Sequence, residues 1–355
     1  MTGDVLATDI PKDAQGGALE RIVPRRLVHK AAADEVLLTD AVRVRPGHFY
    51  LAVRQPAGHG LYRPDSAGAS DPTLFVEMLR QTAIYLSHRF YEVPLDHPFI
   101  FCALDFDMAA PPGEDDDADE PVVLEVRCRE TKQRTPKRAA LTLEAQLVCA
   151  GGVRAVGSVT WQAVEPARYT ALRSRGTDGT PPPAPGTAVT VTLPGARVMA
   201  PELVGRERAL DVVVAEFAAP EDGPAVAGEP GGTWLLHVDQ SHPVFFDHPS
   251  DHVPGMLLLE AVRQASCAAL GPAPAPLYEW TMSGGGVEFG AYCELAAPTW
   301  LVVRHAGAPE AADQATVTVE AVQHGRTVAS GSARWKAAPA PGRDAVGAGV
   351  REARA

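Results

Sequence analysis

The sequence contains no run of about 18 apolar residues, the length a membrane-spanning helix needs, so no spanning segment is expected in its 355 residues. Its start, MTGDVLATDIPKDAQGG, lacks a basic stretch followed by an apolar core, so no secretory signal is expected. Cysteines are few: Cys102, Cys128, Cys149, Cys267 and Cys293 are odd in number, far apart and never form C-x-x-C. That spacing argues against a disulfide framework or a zinc knuckle. Buried neutral thiols in a reducing cytoplasm are the expectation. Positive charge is also scarce. Thirty-two Lys and Arg against 44 Asp and Glu leave a net charge of −12. This argues against general nucleic-acid binding, because a phosphate backbone needs a basic surface.

What is present reads as globular. The chain is 46% hydrophobic and 21% charged, which is ordinary composition for a folded protein. Its length suggests two domains as a first estimate. Gly and Pro, 32 of each, cluster in identifiable places. Residues 1–18 read as a loose arm and 337–355 (AAPAPGRDAVGAGVREARA) as a disordered tail. The polar, triple-proline stretch 172–187 (LRSRGTDGTPPPAPGT) reads as a linker. It leaves one unit at 19–171 and another at 188–336. Residues 111–121 (PPGEDDDADEP) carry six carboxylates and read as a solvated loop.

The two units match each other. LFVEMLRQTA at 74–83 answers LLLEAVRQAS at 257–266, with Glu-x-x-Arg-Gln in one register. TLEA at 142–145 answers TVEA at 318–321, and GSVTW at 157–161 answers GSARW at 331–335. The order is kept, with separations of 183, 176 and 174 residues. In each unit an amphipathic period predicts one helix, over 73–88 and 255–270, after Pro72 and Pro254. β-rich runs follow: 98–107, 122–130, 139–149 and 153–162, then 286–295, 299–305, 314–322 and 326–335. The fold class expected is α+β: in each repeat an antiparallel sheet wraps a long central helix and buries its inner face on it. Two such units could pair their sheets edge to edge, as a homodimer would. Trp161 and Trp335, at the ends of matching strands, are expected in the core.

Candidate chemistry gathers on the helices and the loop before the second one. HVDQSHPVFFDHPSDHVPGMLLLEAVRQAS, residues 237–266, runs a His-rich loop into a helix start. The backbone N–H groups of Gly255 and Met256 there could hold a developing oxyanion. His248 precedes Glu260 by twelve residues, and the arrangement resembles hot-dog-fold hydroxyacyl-carrier-protein dehydratases. That resemblance implies a loop His and a helix carboxylate, supplied across a dimer interface, flanking a thioester. Glu77 with Arg80 and Glu260 with Arg263 could be ordinary surface pairs. The recurrence of the triad, and Ile84 and Cys267 inside its polar stripe, favour a crevice. A part-buried carboxylate there is expected to have a raised pKa and act as a base, and an adjacent Arg to grip a phosphate. His242, His248 and His252 beside Asp247 and Asp251 could be surface or structural residues, or metal ligands. By ungapped alignment His48, His59 and His88 have no firm counterpart in the second repeat. RCRETKQRTPKR at 127–138 holds six basic residues and one Glu. It reads either as a solvated hairpin turn or as a docking patch for an acidic partner such as an acyl carrier protein.

VPRRLVHKAAADEVLLTD at 23–40, together with the twin Glu-x-x-Arg-Gln helices, resembles the A-factor-type γ-butyrolactone synthase family of actinobacteria. The likeness extends over roughly residues 19–336 without the linker. It implies a double hot-dog fold. It also implies transfer of a 3-oxoacyl group from an acyl carrier protein or coenzyme A thioester to the hydroxyl of dihydroxyacetone phosphate, in γ-butyrolactone signal biosynthesis. Positions matching the family's proposed functional residues are Glu77, Glu260 and Arg263; Arg80 is added from the internal repeat. The assignment expected is Glu260 as base, Arg263 as phosphate ligand, Gly255 and Met256 as oxyanion donors, and Glu77 as a second acid/base or orienting group. His248 is the alternative base. No covalent nucleophile, metal or cofactor is expected. The chain would act in the cytoplasm as a monomeric pseudo-dimer or a homodimer. Competing readings are another hot-dog thioester enzyme, such as a dehydratase or thioesterase, and a non-catalytic acyl-binding regulatory protein.

Overall fold

The computed structural model describes residues 21–339 apart from 55, 57, 64–70, 110–121, 136–137, 150–151, 177–182, 192, 218–230, 272–277 and 307–312. The expected arm, acidic loop, centre of the linker and residues 340–355 of the tail therefore lie outside the described residues. The first repeat holds β1 (Leu38–Arg45), β2 (His48–Val53), α1 (Pro72–Phe90), β3 (Phe99–Met108), β4 (Val123–Thr135), β5 (Arg138–Cys149) and β6 (Gly152–Val164). After α2 (Pro166–Gly176), the second holds β7 (Arg197–Val198), β8 (Val214–Glu216), β9 (Thr233–Leu236), α3 (Gly255–Leu270), β10 (Tyr278–Phe289), β11 (Trp300–Ala306), β12 (Gln314–Gln323) and β13 (Arg326–Pro339). No helix among the described residues is long and apolar enough to cross a membrane.

All the strands join one antiparallel sheet in the order β1-β2-β4-β5-β6-β3-β10-β13-β12-β11-β9-β8-β7. Outward from the β3–β10 joint, the matching strands of the two repeats follow each other in the same order, with β7 as an extra edge. This is the edge-to-edge pairing expected of tandem hot-dog units. The joint explains one difference from the sequence expectation. β10 runs Tyr278–Phe289 rather than 286–295, because Gly284, Gly285 and Gly286 are strand residues and not a turn. A Cβ on Gly285 would lie 2.5 Å from the Ser332 carbonyl oxygen, and one on Gly286 2.8 Å from that of Leu104. Only glycine lets β3 and β13 flank β10 so closely.

Each helix is seated on its own curl of sheet. Asp71 caps α1, accepting the Thr73 N–H at 2.8 Å, and Pro72 occupies the first turn. α3 starts after Pro254 with no side-chain cap. The β6 glycine Gly157 and its β13 twin Gly331 leave room for the helices. Added Cβ atoms would lie 2.7 Å from Leu79 Cδ1 and 2.8 Å from Val262 Cγ2. Trp161 and Trp335 are buried as expected, each donating its indole N–H to a helix serine, Ser87 at 3.0 Å and Ser266 at 3.2 Å. All five cysteines are free, with Cys128 and Cys293 buried; burial pushes both thiols up to about 12.

Candidate active site

The central helices are buried on their polar faces too. Glu77 and Glu260 are each only 1% exposed, which excludes the surface-pair reading. Both are organised by the Gln of the shared triad. Gln81 accepts the Leu37 N–H (2.9 Å) and donates to Glu35 O (2.8 Å) and Glu77 Oε1 (2.8 Å). Gln264 accepts the Val213 N–H (2.9 Å) and donates to Asp211 O (2.7 Å) and Glu260 Oε1 (2.6 Å). Each Gln thus ties a helix to the segment entering the outer strands. Those segments, VHKAAADEVLL at 28–38 and VGRERALDVVV at 204–214, are a fourth matched pair. His59 also has a counterpart, contrary to the ungapped alignment. His59 Nδ1 accepts the N–H of Leu61 and Tyr62, and Nε2 meets Glu35 at 3.1 Å. His242 does the same with Val244, Phe245 and Asp211 at 3.2 Å. The repeat offset steps from 176 to 183 between these elements, which an ungapped comparison hides. His242 is therefore a loop clasp. Among the described residues no His, Cys, Asp and Glu side chains cluster with metal-ligand geometry.

The twins then diverge. Arg206 lies across both oxygens of Glu260 (2.8 and 2.6 Å), and Arg263 and Gln264 add bonds of 2.7 and 2.6 Å. Arg206 continues to Asp71 (2.8 Å) and to Leu61 O (3.0 Å) of the first repeat. Arg263 continues to Val204 O (3.0 Å). In the first repeat Lys30 stands where Arg206 stands in the second. It reaches Glu77 Oε1 at 3.3 Å. Arg80 donates to both Glu77 oxygens (2.7 and 2.8 Å), yet its side chain is 16% exposed against 8% for Arg263. Neither carboxylate has the raised pKa expected of a buried base. Burial alone would raise Glu77, but Arg80, Lys30 and Gln81 outweigh it and hold the carboxyl well below the usual range. Arg206 and Arg263 do the same to Glu260.

The loop of the second repeat docks on the first. Asp247 accepts the N–H groups of Ala31 (3.0 Å) and Ala32 (3.0 Å) and lies 3.9 Å from Lys30. His248 follows it with its side chain 53% exposed. It is close enough, with Arg80, to act electrostatically on His29. So His248 lies within electrostatic reach of His29, across the repeat interface, and its ion-pair partner is Asp247 at 3.9 Å. Gly255 and Met256 open α3, half-buried. Lys30, Arg206 and His29 escaped the sequence reading, which named Asp247 and His88 without giving either a role at the site. Aligning 28–38 with 204–214, at the separation already seen for TLEA and TVEA, would have exposed the first two.

A family model described as "A-factor biosynthesis hotdog domain" matches residues 13–165 and 190–339. A chain from Streptomyces virginiae named "2-oxo-3-(phosphooxy)propyl 3-oxoalkanoate synthase" is 34% identical over 279 residues, 79% of this chain and 86% of that one. Chains of the same name from Streptomyces coelicolor and Streptomyces griseus are 33% and 31% identical, covering 86% of this chain and 89% and 92% of their own length. A putative oleoyl thioesterase from Lactobacillus plantarum aligns with a TM-score of 0.44 at 15% identity, over 78% of this chain and 92% of that one. With both repeats matched and curated relatives alike over most of its length, the chain belongs to the A-factor biosynthesis hotdog family.

Proposed function

We propose that this chain is an acyltransferase that joins a 3-oxoacyl group to the hydroxyl of dihydroxyacetone phosphate. The hydroxyl oxygen attacks the thioester carbonyl carbon, the C–S bond breaks, and a free thiol leaves with a 2-oxo-3-(phosphooxy)propyl ester as product. The observation that carries the reading is the near full-length likeness, at 31–34% identity, to chains named for that product. The geometry favours α1 as the working helix. Glu77 anchors Arg80 through two of its nitrogens, leaving Nη1 for an acceptor phosphate, and Lys30 adds a second positive charge. The uncapped start of α3 leaves Gly255 and Met256 as backbone donors for the oxyanion; at α1 the cap Asp71 already takes the Thr73 N–H. Glu260 and Arg263, first expected as base and phosphate ligand, suit a scaffolding role instead, because Arg206 spans both oxygens of Glu260.

The acyl donor would be a carrier-protein or coenzyme A thioester. Exposed Arg127 and Arg129 on β4 suit an acidic carrier. Free thiols throughout suit a cytoplasmic location. The two repeats supply the pseudo-dimer within one chain, and a homodimer of chains is compatible with it. The test is mass spectrometry of the purified protein with a 3-oxoacyl thioester, with and without dihydroxyacetone phosphate. A phosphorylated ester is expected. Free acid or enoyl product alone would move the assignment to a thioesterase or dehydratase, and binding without turnover to an acyl-binding regulator.

A further inference from the structure

With the oxygens of both helix carboxylates already engaged by guanidinium and amide donors, the transfer still needs a group to take the hydroxyl proton. His29 lies within electrostatic reach of Arg80 and stands out on three counts. Its backbone is left-handed, φ 52°, where the matching residue of the second repeat is Gly205 at 65°. L-residues enter that region at a cost that glycine, lacking a Cβ, avoids, so the imidazole occupies a position for which glycine is the undemanding choice. Its hydrogen bonds also fix its tautomer. His88 Nδ1 lies 2.8 Å from the Val93 carbonyl oxygen, which can only accept, so that nitrogen carries the proton. His88 Nε2 is then an acceptor, and His29 Nε2, 2.9 Å away, donates to it. That leaves His29 Nδ1 as a bare lone pair. Finally, the ring is only part-buried, edge-on to Phe99 with centroids 5.2 Å apart, and Arg80 and His248 are near enough to act on it electrostatically. The ring is therefore partly accessible rather than sealed in the core.

We propose that His29 is the general base of the acyl transfer, oriented by His88 as a positioning residue. Nδ1 takes the proton of the acceptor hydroxyl as its oxygen bonds to the thioester carbonyl carbon. It gives that proton to the thiolate sulfur as the C–S bond breaks, so the imidazole ends neutral. This role rests on the acyltransferase reading. Burial, then His88, Arg80 and His248, push His29 down to about 3, so the lone pair is unprotonated at neutral pH and the free ring is a weak base. The groups facing the ring are His88 and Arg80 from α1 and His248 from the loop. A phosphate dianion bound at Arg80 offsets the cationic part of that repulsion and strengthens the base when the acceptor is in place.

His29→Gly tests the assignment, because it installs the residue the second repeat already uses there and relieves the left-handed backbone. Expected are an unchanged or raised melting temperature, a kcat lower by about 100-fold or more, and a KM for dihydroxyacetone phosphate within about threefold of wild type. Added imidazole, entering the vacated space, should restore a measurable part of kcat. His88→Ala should lower kcat while KM holds. A His29→Gly enzyme with kcat within about twofold of wild type, or a loss that imidazole does not relieve, overturns the role of His29 and leaves the acyltransferase reading standing. A wild-type protein that forms no ester removes both.

Discussion

Arg206, Arg263 and Gln264 all donate to the Glu260 carboxylate, and the two guanidiniums are themselves buried. Removing the anion would strand both cations, which costs about 3–5 kcal/mol for a buried pair. Glu260→Ala should therefore lower unfolding stability by that order in chemical denaturation. Glu77→Ala should lower it less, because Arg80 can turn toward solvent, while abolishing transfer. The depressed carboxyl groups of Glu77 and Glu260 also give a pH dependence. A folded-state pKa below the unfolded one means the unfolded chain binds more protons on acidification. The stabilisation is complete above about pH 4.3, the usual Glu value, and is lost as pH falls toward the lower folded value. Unfolding free energy measured from neutral to acidic pH should drop in that window, and the drop should be shallower in Glu260→Gln. Equal slopes in the two proteins would show that the carboxylate is not held as described.

Among the elements, α2 shows why part of the fold was not legible. Its sequence, PARYTALRSRG, has no apolar stripe, and the linker expected at 172–187 begins inside it. What holds it is Arg173, fully buried, bonded to Asp251 Oδ2 (3.0 Å), to Asp251 O (2.9 Å) and to both Glu294 oxygens (2.6 and 2.8 Å). It also lies 4.4 Å over the Tyr292 ring. Those partners are 78 and 121 residues away, so no local pattern announces them. The helices α1 and α3 were legible because an apolar period runs through each, and β3–β6 because their alternation is long. β7, β8 and β9, of two to four residues, are too short to carry a period. Asp251 precedes the start of α3 by only a few residues, so α2 braces the approach to that helix. Arg173→Ala strips the half-buried Glu294 carboxylate of its guanidinium and leaves Asp251 with only Tyr169 and His252, and hydrogen–deuterium exchange over 166–176 should accelerate by about 100-fold or more. Unchanged protection there would mean that backbone packing, not the ion pair, retains α2.

On the scale of the whole molecule, duplication was legible, and asymmetry was read only from unmatched histidines, one of which, His59, has its counterpart in His242. The matched motifs announce two copies, yet around the two carboxylates the difference lies in single residues: Lys30 against Arg206 and His29 against Gly205. The copies also interlock. Asp247 of the second repeat holds Ala31 and Ala32 of the first, and Asp71 and Leu61 of the first hold Arg206 of the second. Each cluster therefore needs both halves in place. If one cluster works and the other braces, exchanging the two cations should separate the roles. Lys30→Arg gives Glu77 the planar fork that closes Glu260, and a fork competes with Arg80 where an ammonium does not. Its stability should hold, and its kcat/KM for ester formation should fall at least about tenfold. Arg206→Lys removes a two-bonded fork from a buried carboxylate, so it should lose about 1.5–3 kcal/mol. At a temperature where it remains folded, it should keep kcat/KM within about threefold of wild type. The reverse result, an active Lys30→Arg and a folded but inactive Arg206→Lys, would place the chemistry on α3 and make the first cluster the brace.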